Sequence, residues 1–157
     1  MLTGATILQL DTKGRLAIPS RYREALMERC GGALVTTVSL SVSRDSEDRS
    51  LWMYPRDAWK RAVKRVAALP DFDANHRVVK RFFIGYASDM EMDKSGRVLL
   101  PALLRDFAAI TKGIYLIGQS NKFELWSEEK WAARHDQWLV EAIDMDKISP
   151  ELEQLSL

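Results

Sequence analysis

The chain of 157 residues has one cysteine, Cys30, and two histidines, His76 and His135. A single cysteine excludes an intrachain disulfide and suits a reducing compartment. Followed by Gly31-Gly32 and with no histidine near it in sequence, Cys30 reads as a half-buried thiol beside a turn rather than a nucleophile. The two histidines lie too far apart in sequence for a His-x-x-x-His metal spacing, and no cysteine or acidic cluster completes a site around either. There is no Gly-x-x-x-x-Gly-Lys-Ser/Thr run to cradle phosphates. No apolar stretch approaches the roughly 18 residues of a membrane-spanning helix. Met1-Leu2-Thr3-Gly4-Ala5 is not a basic stretch leading into a long apolar core, so no secretion signal is expected. The expectation is a cytoplasmic, non-enzymatic protein with no catalytic residue, metal, cofactor, membrane contact or small-molecule ligand.

What is present is the composition of a soluble globular protein, 46% hydrophobic and 29% charged. The net charge of +1 says nothing about partners, but its distribution does. Residues 121–157 hold four Lys/Arg against nine Asp/Glu, and the first 120 residues hold 19 against 13. A mildly basic body with an acidic C-terminal segment permits a local footprint for phosphate.

The dominant feature is an internal repeat. Leu10-Asp11-Thr12-Lys13-Gly14-Arg15-Leu16-Ala17-Ile18-Pro19 aligns without a gap to Met92-Asp93-Lys94-Ser95-Gly96-Arg97-Val98-Leu99-Leu100-Pro101. Each copy runs on into a helix-like segment, residues 20–26 and 102–108. A second block follows, Leu51-Trp52-Met53-Tyr54 against Phe123-Glu124-Leu125-Trp126. The offset falls from 82 in the first block to 72 in the second, so copy one carries ten extra residues, assigned to an exposed, mobile hairpin tip at residues 39–50. Each copy is expected to run strand, tight turn, strand, short helix, strand, strand, helix. Pro19 and Pro101 close the second strands because proline lacks the ladder donor. Ser127 is the expected cap of the last helix, which opens Glu128-Glu129. Residues 71–86 are expected to be helical, with Val78, Phe82 and Tyr86 on one stripe, Val79 and Phe83 beside it, and Arg77, Lys80 and Arg81 as a solvated basic face. A unit of about 45 residues buries little surface alone, so the two copies are expected to pack as a pseudo-twofold pair. The boundaries expected are 1–70 for the first repeat, 71–90 for a connecting helix and strand, 91–140 for the second repeat and 141–157 for an acidic tail.

The turns carry the chemistry. In each Asp-x-x-x-Arg, the aspartate (Asp11, Asp93) accepts from backbone N–H groups or from the arginine, and the glycine (Gly14, Gly96) supplies the positive φ. That leaves Thr12, Lys13 and Arg15 in one copy, and Lys94, Ser95 and Arg97 in the other, at a ribbon narrow enough for a major groove about 12 Å wide. Arginine suits the O6 and N7 of guanine and lysine suits a phosphate. One isolated turn of this kind is explained by a salt bridge pinning a hairpin. Two in one frame, each with a glycine and a second cation, point to a composite DNA-reading surface, with each arginine's guanidinium facing solvent in the free protein.

Over almost its whole length the chain resembles the MraZ family, on residues 10–23, 77–88, 92–101 and above all Gly118-Gln119-Ser120-Asn121-Lys122-Phe123-Glu124-Leu125-Trp126. The resemblance implies an α+β fold of two tandem swapped-hairpin, AbrB/SpoVT-like β-barrel units related by a pseudo-twofold, with flanking helices. It also implies a nucleoid-associated transcriptional regulator, in the usual case a repressor, that reads tandem G-rich repeats in double-stranded DNA upstream of the division and cell-wall gene cluster, its own operon included. It implies a ring-shaped, octamer-like homo-oligomer, with the paired turns as reading elements. The loop at residues 39–50 departs from the family pattern. The alternative is an oligomeric protein-binding scaffold or antitoxin-like module, in which the five tryptophans serve core and subunit contacts.

Overall fold

The computed structural model describes residues 1–40, 48–142 and 148–156. Copy one runs β1 (Ala5–Gln9), β2 (Arg15–Ala17), α1 (Ser20–Cys30), β3 (Ala33–Val38), β4 (Leu51–Pro55) and α2 (Arg56–Ala67). After α3 (Ala74–Phe83), copy two runs β5 (Ser88–Glu91), β6 (Arg97–Leu99), α4 (Ala102–Phe107), β7 (Gly113–Gly118), β8 (Phe123–Ser127) and α5 (Glu128–Ala142), and α6 (Pro150–Glu153) follows. Both copies therefore show the expected order of elements, in an α+β fold. Pro19 and Pro101, with ψ of 137° and 148°, stand between the second strand of each copy and the short helix. They can neither donate to a ladder nor continue a helix backwards. Ser127 does cap α5, its Oγ accepting from the N–H of Lys130 at 3.4 Å.

The copies exchange strands. The six-stranded sheet has the order β1-β7-β8-β4-β3-β5, so the first strand of each copy lies against the third strand of the other. β2 and β6 pair with each other as a separate two-stranded ribbon. The sheet order reads the same from either end once copies are interchanged. A pseudo-twofold axis accordingly passes between Leu16 and Val98 in the ribbon and between Trp52 and Glu124 at the β4–β8 junction, where repeat-equivalent residues face each other. The equivalence stops at side-chain chemistry in the second pair. Glu124 there accepts from Trp126 Nε1 at 2.6 Å and from Gln119 Nε2, and burial raises its pKa.

One core serves both copies. Leu16, Ile18 and Leu26 of copy one pack with Val98, Leu100 and Leu104 of copy two, together with inward residues of the sheet such as Leu34, Met53, Leu116 and Phe123. The inward faces of both sheet and ribbon are needed to bury these groups, so neither repeat has a complete core of its own. A smaller cluster of Tyr54, Ala58 and Phe83 seats α2 and α3 on the sheet.

The expectations for the central helix and for the long loop need correction. The helix expected over residues 71–86 begins at Ala74, because Asp73 caps it and takes the N–H groups of Asn75 (2.7 Å) and His76 (3.3 Å), and it ends at Phe83. Its apolar residues divide in burial: Phe83 is 2% exposed, whereas Val78 and Phe82 are 45% and 37% exposed. Its basic side is partly tethered, Lys80 Nζ donating to Asp71 Oδ1 (2.6 Å) and Arg77 to the carbonyl of Asp71 (2.8 Å). The loop at residues 39–50 accounts for eight of the ten extra residues, being twelve long against four between β7 and β8; the remaining two lie in the stretch from the proline to the third strand. Residues 41–47 of that expected tip lie outside the described residues. Its ends are drawn in although Arg49 is exposed: Ser50 is buried, Ser39 N–H donates to the Ser50 carbonyl (3.0 Å), and Asp48 pairs with Arg134 at 2.9 Å.

Leu16 is fully buried on the axis, in the ribbon shared by both copies. Leu16→Ala is expected to destabilise the whole chain by about 2–5 kcal/mol. Urea unfolding should show one cooperative transition at a lower midpoint; loss of one repeat while the other stays folded would contradict the shared core.

Candidate nucleic-acid interface

The ribbon sorts its side chains by alternation. Leu16 and Val98 point inward and are buried. Arg15, Ala17, Arg97 and Leu99 take the outer face, Leu99 at 56% exposure. Because β2 and β6 are antiparallel, with Arg15 opposite Leu99 and Ala17 opposite Arg97, the two turns stand at opposite ends of this short ribbon. Thr12, Lys13, Lys94 and Ser95 are exposed on them.

Each aspartate builds its turn in the same way. Asp11 Oδ1 accepts from the N–H groups of Lys13 and Arg15, both at 2.9 Å. Asp93 Oδ1 accepts from Ser95 (2.8 Å) and Arg97 (2.9 Å). Backbone bonds close the loops, Gly14 N–H to Asp11 O (3.0 Å) and Gly96 N–H to Asp93 O (2.9 Å), with φ of 80° and 74° at the glycines. These left-handed values are open to glycine at no steric cost. The turns are also tied to the opposite copy, since Ile18 N–H donates to Gly96 O (2.9 Å) and Leu100 N–H to Gly14 O (3.0 Å).

The arginines are less free than expected. Arg15 Nε donates to Asp11 Oδ2 at 2.7 Å, and its side chain is 31% exposed. The guanidinium is thus pinned along one edge rather than turned to solvent, because the carboxylate that shapes the turn has a second oxygen pointing at it. In copy two the same pair is looser: Arg97 Nε lies 3.5 Å from Asp93 Oδ2 and makes no hydrogen bond there. Arg97 instead leans diagonally along the ribbon, bringing Nη1 to 3.9 Å from Asp11 Oδ2. Asp11, Arg15, Asp93 and Arg97 form one cluster of alternating charge spanning both copies.

Two side chains that back the turns escaped the sequence reading. Arg23 of α1 and Arg105 of α4 occupy matching positions in the repeat. Arg23 Nε donates to Ile18 O (2.6 Å) and Arg105 Nε to Leu100 O (3.0 Å). Each guanidinium lies against the turn glycine of the other copy; a Cβ at Gly96 would come within 2.3 Å of Arg23 Nε, and one at Gly14 within 3.1 Å of the Arg105 guanidinium carbon. The signal was in the repeat itself, as an arginine four residues after each proline. Its partner across the exchanged strands was not.

The aspartates are held below the ordinary carboxylate range. For Asp11 the leading cause is the N–H of Arg15, and for Asp93 the N–H of Arg97. No group of ligating side chains fit for a metal occurs among the described residues: His76 Nδ1 meets Pro70 O at 2.9 Å and His135 meets Asp136. No helix among the described residues is long and apolar enough to cross a membrane.

Residues 1–82 and 83–147 each match the family described as "MraZ protein, putative antitoxin-like". The chain is 43% identical over 157 residues to the transcriptional regulator MraZ of Thioalkalivibrio sulfidiphilus, with all of both chains covered. It is 43% identical over 158 residues to that of Halorhodospira halophila and 41% to that of Legionella pneumophila, again over the full length of both chains.

A carboxylate whose folded pKa is lowered stabilises fully above its unfolded value of about 3.9, and that contribution disappears as pH falls through the lowered value. The turns are therefore expected to hold one conformation between about pH 5 and pH 8 and to loosen only in stronger acid. Amide NMR shifts of Lys13, Arg15, Ser95 and Arg97 check this; a transition at these four amides near neutrality would assign control of the turns to another group.

Proposed function

Because the chain belongs to the MraZ family and is a transcriptional regulator, not an enzyme, we propose that it regulates by binding double-stranded DNA sequence-specifically through the outer face of the β2–β6 ribbon and the two turns that flank it. The observation that carries this reading is the shared cluster in which Arg15 and Arg97 stand on one exposed face, oriented by Asp11 and Asp93. A two-stranded ribbon is an established way to enter the major groove. In this reading each guanidinium keeps its Nε edge toward the turn and offers its Nη groups to guanine O6 and N7. Lys13, Lys94, Thr12 and Ser95 contact the backbone or base edges beside it. Asp11, Gly14, Asp93 and Gly96 support the turns, and Arg23 and Arg105 buttress them from behind.

The resemblance in the repeat blocks supports the finer reading: repression of the division and cell-wall gene cluster, the protein's own operon included, through tandem G-rich repeats, with the nucleoid as the place of action. One chain offers few phosphate contacts, which bind weakly at physiological salt. Self-association in a ring would place several chains on successive repeats at high effective concentration, so that affinity rises without any new kind of contact.

Arg15→Ala and Arg97→Ala are each expected to weaken binding to repeat-bearing DNA by about tenfold to a hundredfold while leaving circular dichroism and subunit mass unchanged. The slope of log affinity against log salt should stay steep for the wild type. A variant that loses its fold yet binds DNA when soluble would make the Asp–Arg pairs structural only. Association indifferent to salt would favour a protein-binding scaffold.

A further inference from the structure

One side of α2 serves the core, and the other carries charge that the fold does not use. Leu51 and Met53 of β4 face the core shared by both copies, whereas Trp52 and Tyr54 belong to the smaller cluster that seats α2. Alternation along the strand therefore puts α2 on the face of the sheet away from the β2–β6 ribbon. Of the five exposed positions in α2, four are cations, Lys60, Arg61, Lys64 and Arg65, and the fifth is Ala67.

These four make a poor surface for stability alone. Lys60 with Lys64, and Arg61 with Arg65, are like charges at i, i+4, which repel on a helix. Of the four, only Arg61 has an acidic side chain within ion-pair distance among the described residues, Asp57 at 3.7 Å, and that carboxylate is held more closely by Arg29 at 2.7 Å. Lys64 and Arg65 stand in the last turn and suit the negative end of the helix dipole, but Lys60 and Arg61 precede it. The second repeat supplies an internal control. At the offset of 72, Trp59 matches Trp131, and the four cations match Ala132, Ala133, Asp136 and Gln137, all four exposed on α5. The equivalent helix packs against the equivalent strands with none of these positive charges, so the fold does not require them.

We propose that the exposed face of α2 is a second nucleic-acid surface, which holds the phosphate backbone of a DNA segment other than the one under the ribbon. In a transcriptional regulator the polyanion that fits such a face is duplex DNA. Unlike Arg15 and Arg97, Lys60, Lys64 and Arg65 have no carboxylate to orient them, so they attract phosphates without selecting bases. The inference goes beyond the ribbon reading: the ribbon selects a site, and α2 on the opposite face of the sheet brings a second stretch of duplex to the same chain.

The test is a full-length variant carrying Lys60→Ala, Arg61→Ala, Lys64→Gln and Arg65→Gln, all good helix formers, with folding read by circular dichroism and subunit mass by sedimentation. A short repeat-bearing duplex is immobilised, saturated with protein and offered a labelled duplex of scrambled sequence. The wild type is expected to capture the labelled duplex. The variant should still bind the repeat-bearing duplex but capture the scrambled one at least about tenfold less well. In direct titration with the scrambled duplex, its slope of log affinity against log salt should be shallower by about 3. Exchanging the cations in kind (Lys60→Arg, Arg61→Lys, Lys64→Arg, Arg65→Lys) should preserve capture. Wild-type capture and salt slope in the neutralised variant would overturn the proposal. An altered subunit mass with an unchanged salt slope would make the face a contact between copies and overturn it too. The titration uses DNA without repeats, so its outcome stands apart from any failure of the ribbon to read them.

Discussion

The structure depends on an exchange of strands between its two repeats. β1 completes the sheet beside β7 and β5 completes it beside β3, while β2 and β6, the strands that follow the turns, have only each other as strand partners among the described residues. Neither repeat can bury its apolar face alone. The constraint is topological before it is chemical: the turn of each copy is bonded to the strand end of the other, through Ile18 to Gly96 and Leu100 to Gly14. The candidate reading surface is therefore created by folding the two repeats together.

Local chemistry then refines what topology has placed. One aspartate oxygen organises the turn backbone and the other reaches for the arginine four residues on, which fixes where the guanidinium can point. The copies do this unequally, tightly at Arg15 (2.7 Å) and loosely at Arg97 (3.5 Å). The looser arginine leans toward the aspartate of the other copy, so the cluster behaves as one unit of four charges rather than two independent pairs. A preoriented arginine loses less side-chain freedom on meeting a base than a fully mobile one would. Under the proposed DNA-binding reading the aspartates would serve recognition indirectly, their negative charge beside a phosphate backbone offset by the exposed lysines and by Arg23 and Arg105.

Much of this was legible in the residues. The gapless match of residues 10–19 with 92–101 announced a pseudo-twofold pair, the prolines marked strand ends, and the Asp-Gly-Arg frame marked the turns. What stayed hidden depends on contacts between residues far apart in the chain. Arg23 and Arg105 read locally as ordinary helical arginines, because the glycine each one backs lies in the other repeat. The stripe on α3 was legible as a stripe but its burial was not, because periodicity reports which residues share a face and not how far the sheet extends beneath it. Serines and charges suggested an exposed tip at residues 39–50, yet Ser50 and Asp48 are drawn in by Ser39 and by Arg134. The axis at the β4–β8 junction pairs Trp52 with Glu124, chemically unlike residues that alignment alone treats as equivalents.

The central claim is that repeated protein elements read repeated DNA elements. It is tested most directly by a gel shift with the DNA upstream of the protein's own gene, set against the same fragment with its tandem repeats scrambled at constant length and base composition. The account predicts a discrete complex on the native fragment and only weak, salt-sensitive binding on the scrambled one. Equal affinity for the two fragments would contradict sequence-specific reading by the paired turns.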